Sequence, residues 1–356
     1  MAECVERNSS EEVAVGEFVF CDYRQRVAVA SVLALWAALA LTGNGLVILA
    51  VALSKRLRTR TNVFVVNLAV ADLLTGLSLI GQVVALVGSG DWGTAWWLCS
   101  TISVMTTTAI GTSIHTLAAV ALNRLLLITY PLSVYTSAFT RRKMTVIVMV
   151  TWMVPLLTAT LPGLFGMVQL GYDAKYKFCT FDDPLQVGQW YDFIIVSINY
   201  PVPLLLVTVS YVRIYRHVKN HSTRRQQFIH SAWKTAPVKR TRTSQLQMEI
   251  TKNTFYVVCA FVVCLTPYAL CILVESFSPA VPYAATVLLL NSWINPIIYA
   301  TKHPHFKAVL RSICLGRCSE IPEPTLNFLR TVDLRTKSSS DRSQEGCGAI
   351  KATSSV

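Results

Sequence analysis

The chain has 356 residues, 53% of them hydrophobic and 14% charged, with a mean hydropathy of +0.47. A soluble domain of that length carries about a quarter charged residues, so the composition excludes an ordinary water-soluble globular protein and points to a membrane protein. The formal charge of +13 would suggest nucleic acid in a soluble chain; here the basic residues fall in loops between apolar runs, and no nucleic-acid partner is expected.

Residues 1–25 are acidic (Glu3, Glu6, Glu11, Glu12, Glu17, Asp22) and lack an apolar core. They read as an extracellular tail with no cleavable signal peptide, the first span serving as an uncleaved signal. Asn8-Ser9-Ser10 is a glycosylation sequon on that side. Seven runs then reach the length of about 20 apolar residues that crosses a bilayer: Val27–Leu53, Val63–Val87, Trp97–Thr129, Met144–Phe165, Tyr191–Tyr215, Phe255–Val274 and Val281–Thr301. Lys55, Arg56, Arg58 and Arg60 follow the first run, Arg141, Arg142 and Lys143 the third, and Lys219, Arg224, Arg225, Lys234, Lys239, Arg240 and Arg242 the fifth. The loops after the second and sixth have no Lys or Arg. Positive charge marks the cytoplasmic side, so the N-terminus lies outside. The expected fold is an all-α membrane protein, a seven-transmembrane helix bundle over 26–302.

Within the runs, polar residues mark the places where helices meet. Asn44 is a lone amide in the first run and is expected to hydrogen-bond to a neighbouring helix. Asp72 is a carboxylate deep in the second, and intramembrane acids are costly and usually functional. The third run carries Cys99 at one end, the small hydroxyl residues Thr106, Thr107, Thr108, Thr112 and Ser113 inside, and Asn123-Arg124-Leu125 at the other end. That composition suits a helix packed among helices. His115 reads as a packing or interhelical hydrogen-bonding residue. The fourth run holds Trp152, Pro155 and Pro162, and the loop beyond it reads as a lid. Cys99 and Cys179 both fall outside and can oxidise to each other, which would pin that loop across the top of the third helix. Cys4 and Cys21 are open to a second bridge. The basic loop after Tyr211 reads as flexible, facing anionic lipid heads or a partner protein. Pro267 and Pro296 each predict a kink.

After Thr301, Phe306, Val309 and Leu310 share a helical face with Lys302, Lys307 and Arg311 among them. Residues 303–318 are therefore expected as a short amphipathic helix on the inner membrane surface, with Cys314 and Cys318 open to palmitoylation. Residues 319–356 read as a disordered cytoplasmic tail, whose end, Ser354-Ser355-Val356, has the form of a peptide that adds a strand to a PDZ domain.

Gly43-Asn44, the acid of Leu68-Ala69-Val70-Ala71-Asp72, Trp92 before Cys99, Arg124, Trp152, Pro203 with Tyr211, Phe261 with Pro267, and Asn295-Pro296-Ile297-Ile298-Tyr299 together resemble the rhodopsin-like (class A) G-protein-coupled receptors over residues 26–318. Leu161-Pro162, Gly171-Tyr172-Asp173, Cys179-Thr180-Phe181 and Asn123-Arg124 look most like the melatonin-receptor branch. The chain departs from that branch at Pro296, where it has alanine, at Leu265, where it has tryptophan, and at Gly163 and Asp183, where the residues that hydrogen-bond melatonin stand.

The resemblance implies a plasma-membrane receptor that binds an extracellular small-molecule or peptide ligand and activates a heterotrimeric G protein, with the inhibitory class as the finer expectation and arrestin as a further partner. It implies a ligand pocket lined by Met105, Thr106, Thr107, Ala109, Ile110, Phe181, Asp183, Tyr268, Cys271 and Tyr283. It implies a switch of Asn123, Arg124, Leu125, Tyr211 and Tyr299, and an allosteric sodium site of Asp72, Ser113, Asn291 and Asn295; no cofactor or other metal is implied. Amine receptors of the family have Asp at the position of Thr106, so a biogenic amine is disfavoured, while Glu275 and Asp183 leave a cationic ligand open near the rim. Most relatives hold the arginine with a preceding Asp and with a Glu on the sixth helix; Asn123 and Gln247 stand at those positions. The alternative is an ion or solute transporter using Asp72, against which stands the lack of inverted repeats. No HExxH-type motif or clustered acid pair supports an enzyme.

Overall fold

A computed structural model describes residues 22–88, 95–173, 176–182, 196–231, 242–317 and 320–325; side chains at 182, 221–254, 275, 276 and 278 are not included in the description. Asn8, Cys4, Cys21, Trp92, Asp183, Cys318, the side chain of Gln247 and the tail from residue 326 therefore lie outside the described residues.

Helix α1 spans Tyr23–Leu53, α2 Arg60–Val87 and α3 Trp96–Thr129. A short α4, Leu132–Ala138, precedes α5, Arg141–Leu164. A β-hairpin follows, β1 Gln169–Asp173 and β2 Phe178–Asp182. Helix α6 spans Pro201–Ser231 and α7 Arg242–Leu273. The seventh crossing is divided at Leu290 into α8, Val281–Leu289, and α9, Asn291–Lys302, and α10 spans Pro304–Cys314. Six of these crossings are long and apolar enough to span a membrane by the described residues alone, and α6 supplies the fifth position between α5 and α7.

Helices α1, α2 and α5 begin before their apolar runs because hydrogen bonds, not hydropathy, set their ends. Asp22, Thr59 and Thr140 each accept a backbone N–H of the first turn, from Arg24, Asn62 and Lys143, which is the N-cap role of such side chains. The helical bundle is as expected, and the lid over it is an antiparallel hairpin that pairs Gln169 with Asp182 through Asp173 with Phe178. One expectation needs correction. The basic loop is not flexible throughout, since α6 continues to Ser231 and α7 starts at Arg242.

Helix α3 is the centre of the bundle. Of its apolar stretch 67% is buried, against 22% for α5 and 28% for α1. It packs on α2, α5, α6 and α7, and α1 packs on α2, α8 and α9. Close approach needs small residues: a Cβ at Gly111 would lie 2.6 Å from the Pro155 side chain, so α3 and α5 meet where no side chain fits. Trp152 Nε1 donates to Asn67 Oδ1 at 2.8 Å, and Asn67 Nδ2 donates to Thr116 at 2.7 Å, tying α5, α2 and α3.

The proline of α9 is handled by α1. Pro296 has no N–H to give the carbonyl four residues back, that of Ser292. Asn44 Nδ2 donates to that carbonyl at 2.7 Å, which is how membrane helices re-satisfy freed backbone groups. Gly43 brings α1 close enough, since a Cβ there would touch the Pro296 ring at 3.0 Å. The expected interhelical bond of Asn44 is thus present, with a backbone partner.

Candidate functional site

At the outer end, α2, α3, α7, α8 and the hairpin enclose a cavity of about 650 Å³. Its roof is held at several points. Cys99 of α3 and Cys179 of β2 form a disulfide. Gln82 Nε2 donates to the Cys179 carbonyl at 2.8 Å, and its Oε1 accepts the Cys179 N–H at 2.9 Å. Both backbone groups of one residue are thereby paired with one amide. Ser100 Oγ donates to the Leu170 carbonyl, which fixes the other strand to α3.

Of the expected pocket residues, Thr106, Thr107, Ile110, Phe181, Tyr268 and Cys271 line the cavity. Met105, Ala109 and Tyr283 do not. The reason is helical phase: Ser103, Thr106, Thr107, Ile110, Gly111 and Ile114 share one face of α3 at three- and four-residue steps, and Met105 and Ala109 stand off it, Ala109 fully buried in packing. On α8 the inward residues are Pro282, Ala285 and Leu289, which leaves Tyr283 45% exposed on the outside. The sequence reading missed Gln82 and Ser103. Both are polar residues in apolar runs, a signal that was available for Gln82 in particular. The Ser103 hydroxyl is buried at the cavity wall and finds no partner.

Below the cavity lies a polar cluster. Asp72 is fully buried; Ser113 Oγ donates to its Oδ1 at 3.0 Å and Asn295 Nδ2 to its Oδ2 at 2.9 Å. Three helices therefore meet on one carboxyl group. Asn291 is buried one turn before Asn295 but makes no bond to Asp72, and its Oδ1 is unpartnered. His115 does not bridge helices: its Nδ1 lies 2.9 Å from the Gly111 carbonyl of its own helix.

At the inner end, Arg124 is 4% exposed and its Nε finds no acceptor. Among the described residues the one salt bridge is Arg317–Glu320, far from it in sequence and highly exposed. Asn123 does not hold the arginine. It accepts from Thr61 Oγ1 at 2.9 Å and donates to Tyr135 Oη at 3.4 Å, so it joins α3 to α2 and α4. The phenols of Tyr211, Tyr135 and Tyr299 and the ring of His303 are in electrostatic reach of the guanidinium. Leu125 is buried beside it in sequence, and Tyr299 stacks on Phe306 of α10 at 5.5 Å. Cys314 of α10 is exposed.

An outward cavity under a braced roof, a buried carboxyl group at mid-depth and a buried arginine with an unpartnered Nε at the opposite end are the features of a seven-helix membrane receptor. The comparisons agree: the model of the 7 transmembrane receptor (rhodopsin) family matches residues 43–299. The chain belongs to this family of G-protein-coupled receptors, which are not enzymes. A Gq-coupled rhodopsin of Mizuhopecten yessoensis is 28% identical over 284 residues, 76% of this chain and 56% of that protein. The histamine H2 receptor of Canis lupus familiaris is 27% identical over 88% of this chain and 85% of its own length, and the melatonin receptor type 1A of Ovis aries 27% over 82% and 78%. Squid rhodopsin superposes with a TM-score of 0.71 at 18% identity, covering 87% of this chain and 91% of its own, which speaks for the fold.

Proposed function

We propose that the chain is a plasma-membrane receptor whose outer cavity takes a small, uncharged, partly apolar molecule and whose inner face activates a heterotrimeric G protein of the inhibitory class. The observation that carries the ligand reading is the cavity wall: the described lining has no lysine or arginine to pair an acidic ligand, its one carboxylate, Asp173, accepts the Tyr176 N–H within the hairpin turn, and Ser103 offers an unused hydroxyl on the same wall as Thr106, Thr107 and Tyr268. Thr106 stands where amine receptors carry Asp, and a buried ammonium needs a paired charge. A melatonin-type contact is disfavoured too, since Gly163 has no side chain to hydrogen-bond a ligand and is not among the cavity lining.

The Asp72 cluster supports sodium as an allosteric ligand, because a carboxylate ringed by hydroxyl and amide oxygens is a hard-oxygen donor set. The decisive experiment is G-protein nucleotide exchange in cells expressing the receptor, screened against neutral indoles and lipid-derived amides. A hit should raise exchange, and Thr107→Trp, which fills the cavity, should abolish the response at unchanged surface delivery. A hit insensitive to Thr107→Trp would overturn the site assignment.

A further inference from the structure

The described chain does not end at α10. It turns at Gly316, in the left-handed region at φ +68°, and residues 320–325 return beneath the start of the first cytoplasmic loop. A set of hydrogen bonds holds them there. Ser54 Oγ donates to the Pro322 carbonyl at 2.6 Å, and the Lys55 N–H to the Glu323 carbonyl at 2.8 Å. The Thr325 N–H donates to the Leu53 carbonyl at 3.0 Å, and its Oγ1 to the Ala52 carbonyl at 3.1 Å. Ser54 and Pro324 form an antiparallel bridge, so the segment adds to the loop edge as a strand would. Ile321 is 3% exposed and shares a core cluster with Leu57, Phe306, Val309 and Leu310.

A further observation shows that this is a fitted segment. Glu323 holds a positive φ of 49°, a conformation a side chain keeps only when its surroundings fix it. Residues 320–325, expected as the start of the disordered tail, are instead ordered against the bundle.

We propose that residues 321–325 are a regulatory strap, a segment of the chain that occupies the groove between the first cytoplasmic loop and α10 and holds the inner end of the seventh span in its resting packing. The path of influence is short. Ile321 packs in the cluster of Phe306, Phe306 stacks on Tyr299, and Tyr299 stands in reach of Arg124. Releasing Ile321 loosens the support under Phe306 and frees Tyr299 to move. An extended peptide of the same chemistry, an aliphatic anchor followed by Pro-acid-Pro, is what could displace the strap from outside.

This proposal rests on the receptor reading for its signalling half. The test uses the full-length receptor in membranes and four variants: Ile321→Ser, Ser54→Ala, a stop after Arg317 and a stop after Thr325. Amide exchange across residues 53–57 reads the strap directly, and ligand-free nucleotide exchange at matched receptor density reads the switch. Ile321→Ser and the stop after Arg317 should lose protection at Lys55 and raise ligand-free signalling about threefold or more. Ser54→Ala should do so in part, and the stop after Thr325 should match wild type in both. Protection at Lys55 that survives the stop after Arg317 overturns the strap. Protection lost with flat signalling overturns its regulatory role. Should no G protein respond to wild type or any variant under any ligand, the receptor reading fails and the regulatory role with it, whereas the exchange data still register the bound strap and so tell the two failures apart.

Discussion

Asn123→Asp should quiet the receptor. Asn123 is fully buried, accepting from Thr61 at 2.9 Å and donating to Tyr135 at 3.4 Å. Aspartate keeps the acceptor for Thr61, and the Tyr135 hydroxyl can turn to donate. What the substitution adds is a negative charge on the residue preceding Arg124, whose Nε is buried without a partner. A hydrogen bond to a charged group contributes ~1.5–3 kcal/mol against ~0.5–1.5 kcal/mol for a neutral one. The cost of desolvating the new carboxylate keeps the gain near the difference of those ranges, about 1–2 kcal/mol. If that gain falls on the resting state, the active fraction drops roughly 5- to 30-fold while it is small. The assay is ligand-free nucleotide exchange in membranes matched for receptor density, with Arg124→Ala as the zero and Tyr135→Phe as the control for the lost 3.4 Å bond. Tyr135→Phe should change the signal by less than about threefold. Unchanged or increased signalling in Asn123→Asp would refute the idea that a missing carboxylate controls the switch.

Cys99→Ala, Cys179→Ala and the double variant should show the same loss of surface delivery, because the closed loop of 80 residues is one constraint, with an entropic ceiling of about 4.5 kcal/mol; additive losses would mean the thiols act separately. Sodium should lower ligand-free signalling in wild type and leave Asp72→Asn unaffected, read as nucleotide exchange in sodium against potassium buffer, and equal sodium responses in both would remove the cation site. His303 is outside the spans, and burial first, then Arg124 and His305, hold its imidazole down to about 3 from an ordinary 6.5. The unfolded chain therefore takes up a proton that the folded one refuses, so this contribution is complete above about pH 6.5 and declines as pH falls toward 3. Purified receptor should lose thermal stability between pH 7.5 and 5.5, and His303→Asn, which keeps an acceptor for the Phe306 N–H, should lose less; parallel slopes would contradict the assignment.

The crossings were legible because apolar length and loop charge are local properties, and Asn44, Asp72 and Arg124 were legible because polar groups in lipid need a reason. What escaped depended on phase and on long-range pairing. Met105 and Ala109 each precede a lining residue, Thr106 and Ile110, and one residue along a helix is about 100° of rotation, enough to turn a side chain off the cavity face. Gln82 was visible as an amide in an apolar run, but its partner is the backbone of Cys179, 97 positions away. The strap was hidden for the same reason: Ile321 stands in a polar stretch, and only the folded loop supplies the edge and the socket that receive it.

The bond from Asn44 to the Ser292 carbonyl makes the first crossing part of the proline bend. A kinked rod ordinarily carries its own slack, and here the slack has been lent to a neighbour. Gly43, Asn44, Ser292 and Pro296 thus form one joint with two halves, and neither half has a meaning alone. An alanine at 296 brings back the N–H that the carbonyl lacked, and the amide of Asn44 becomes a rival for a seat already taken. Inheritance should treat the four positions as one character: a lineage that straightens the bend has also changed what its first helix is for.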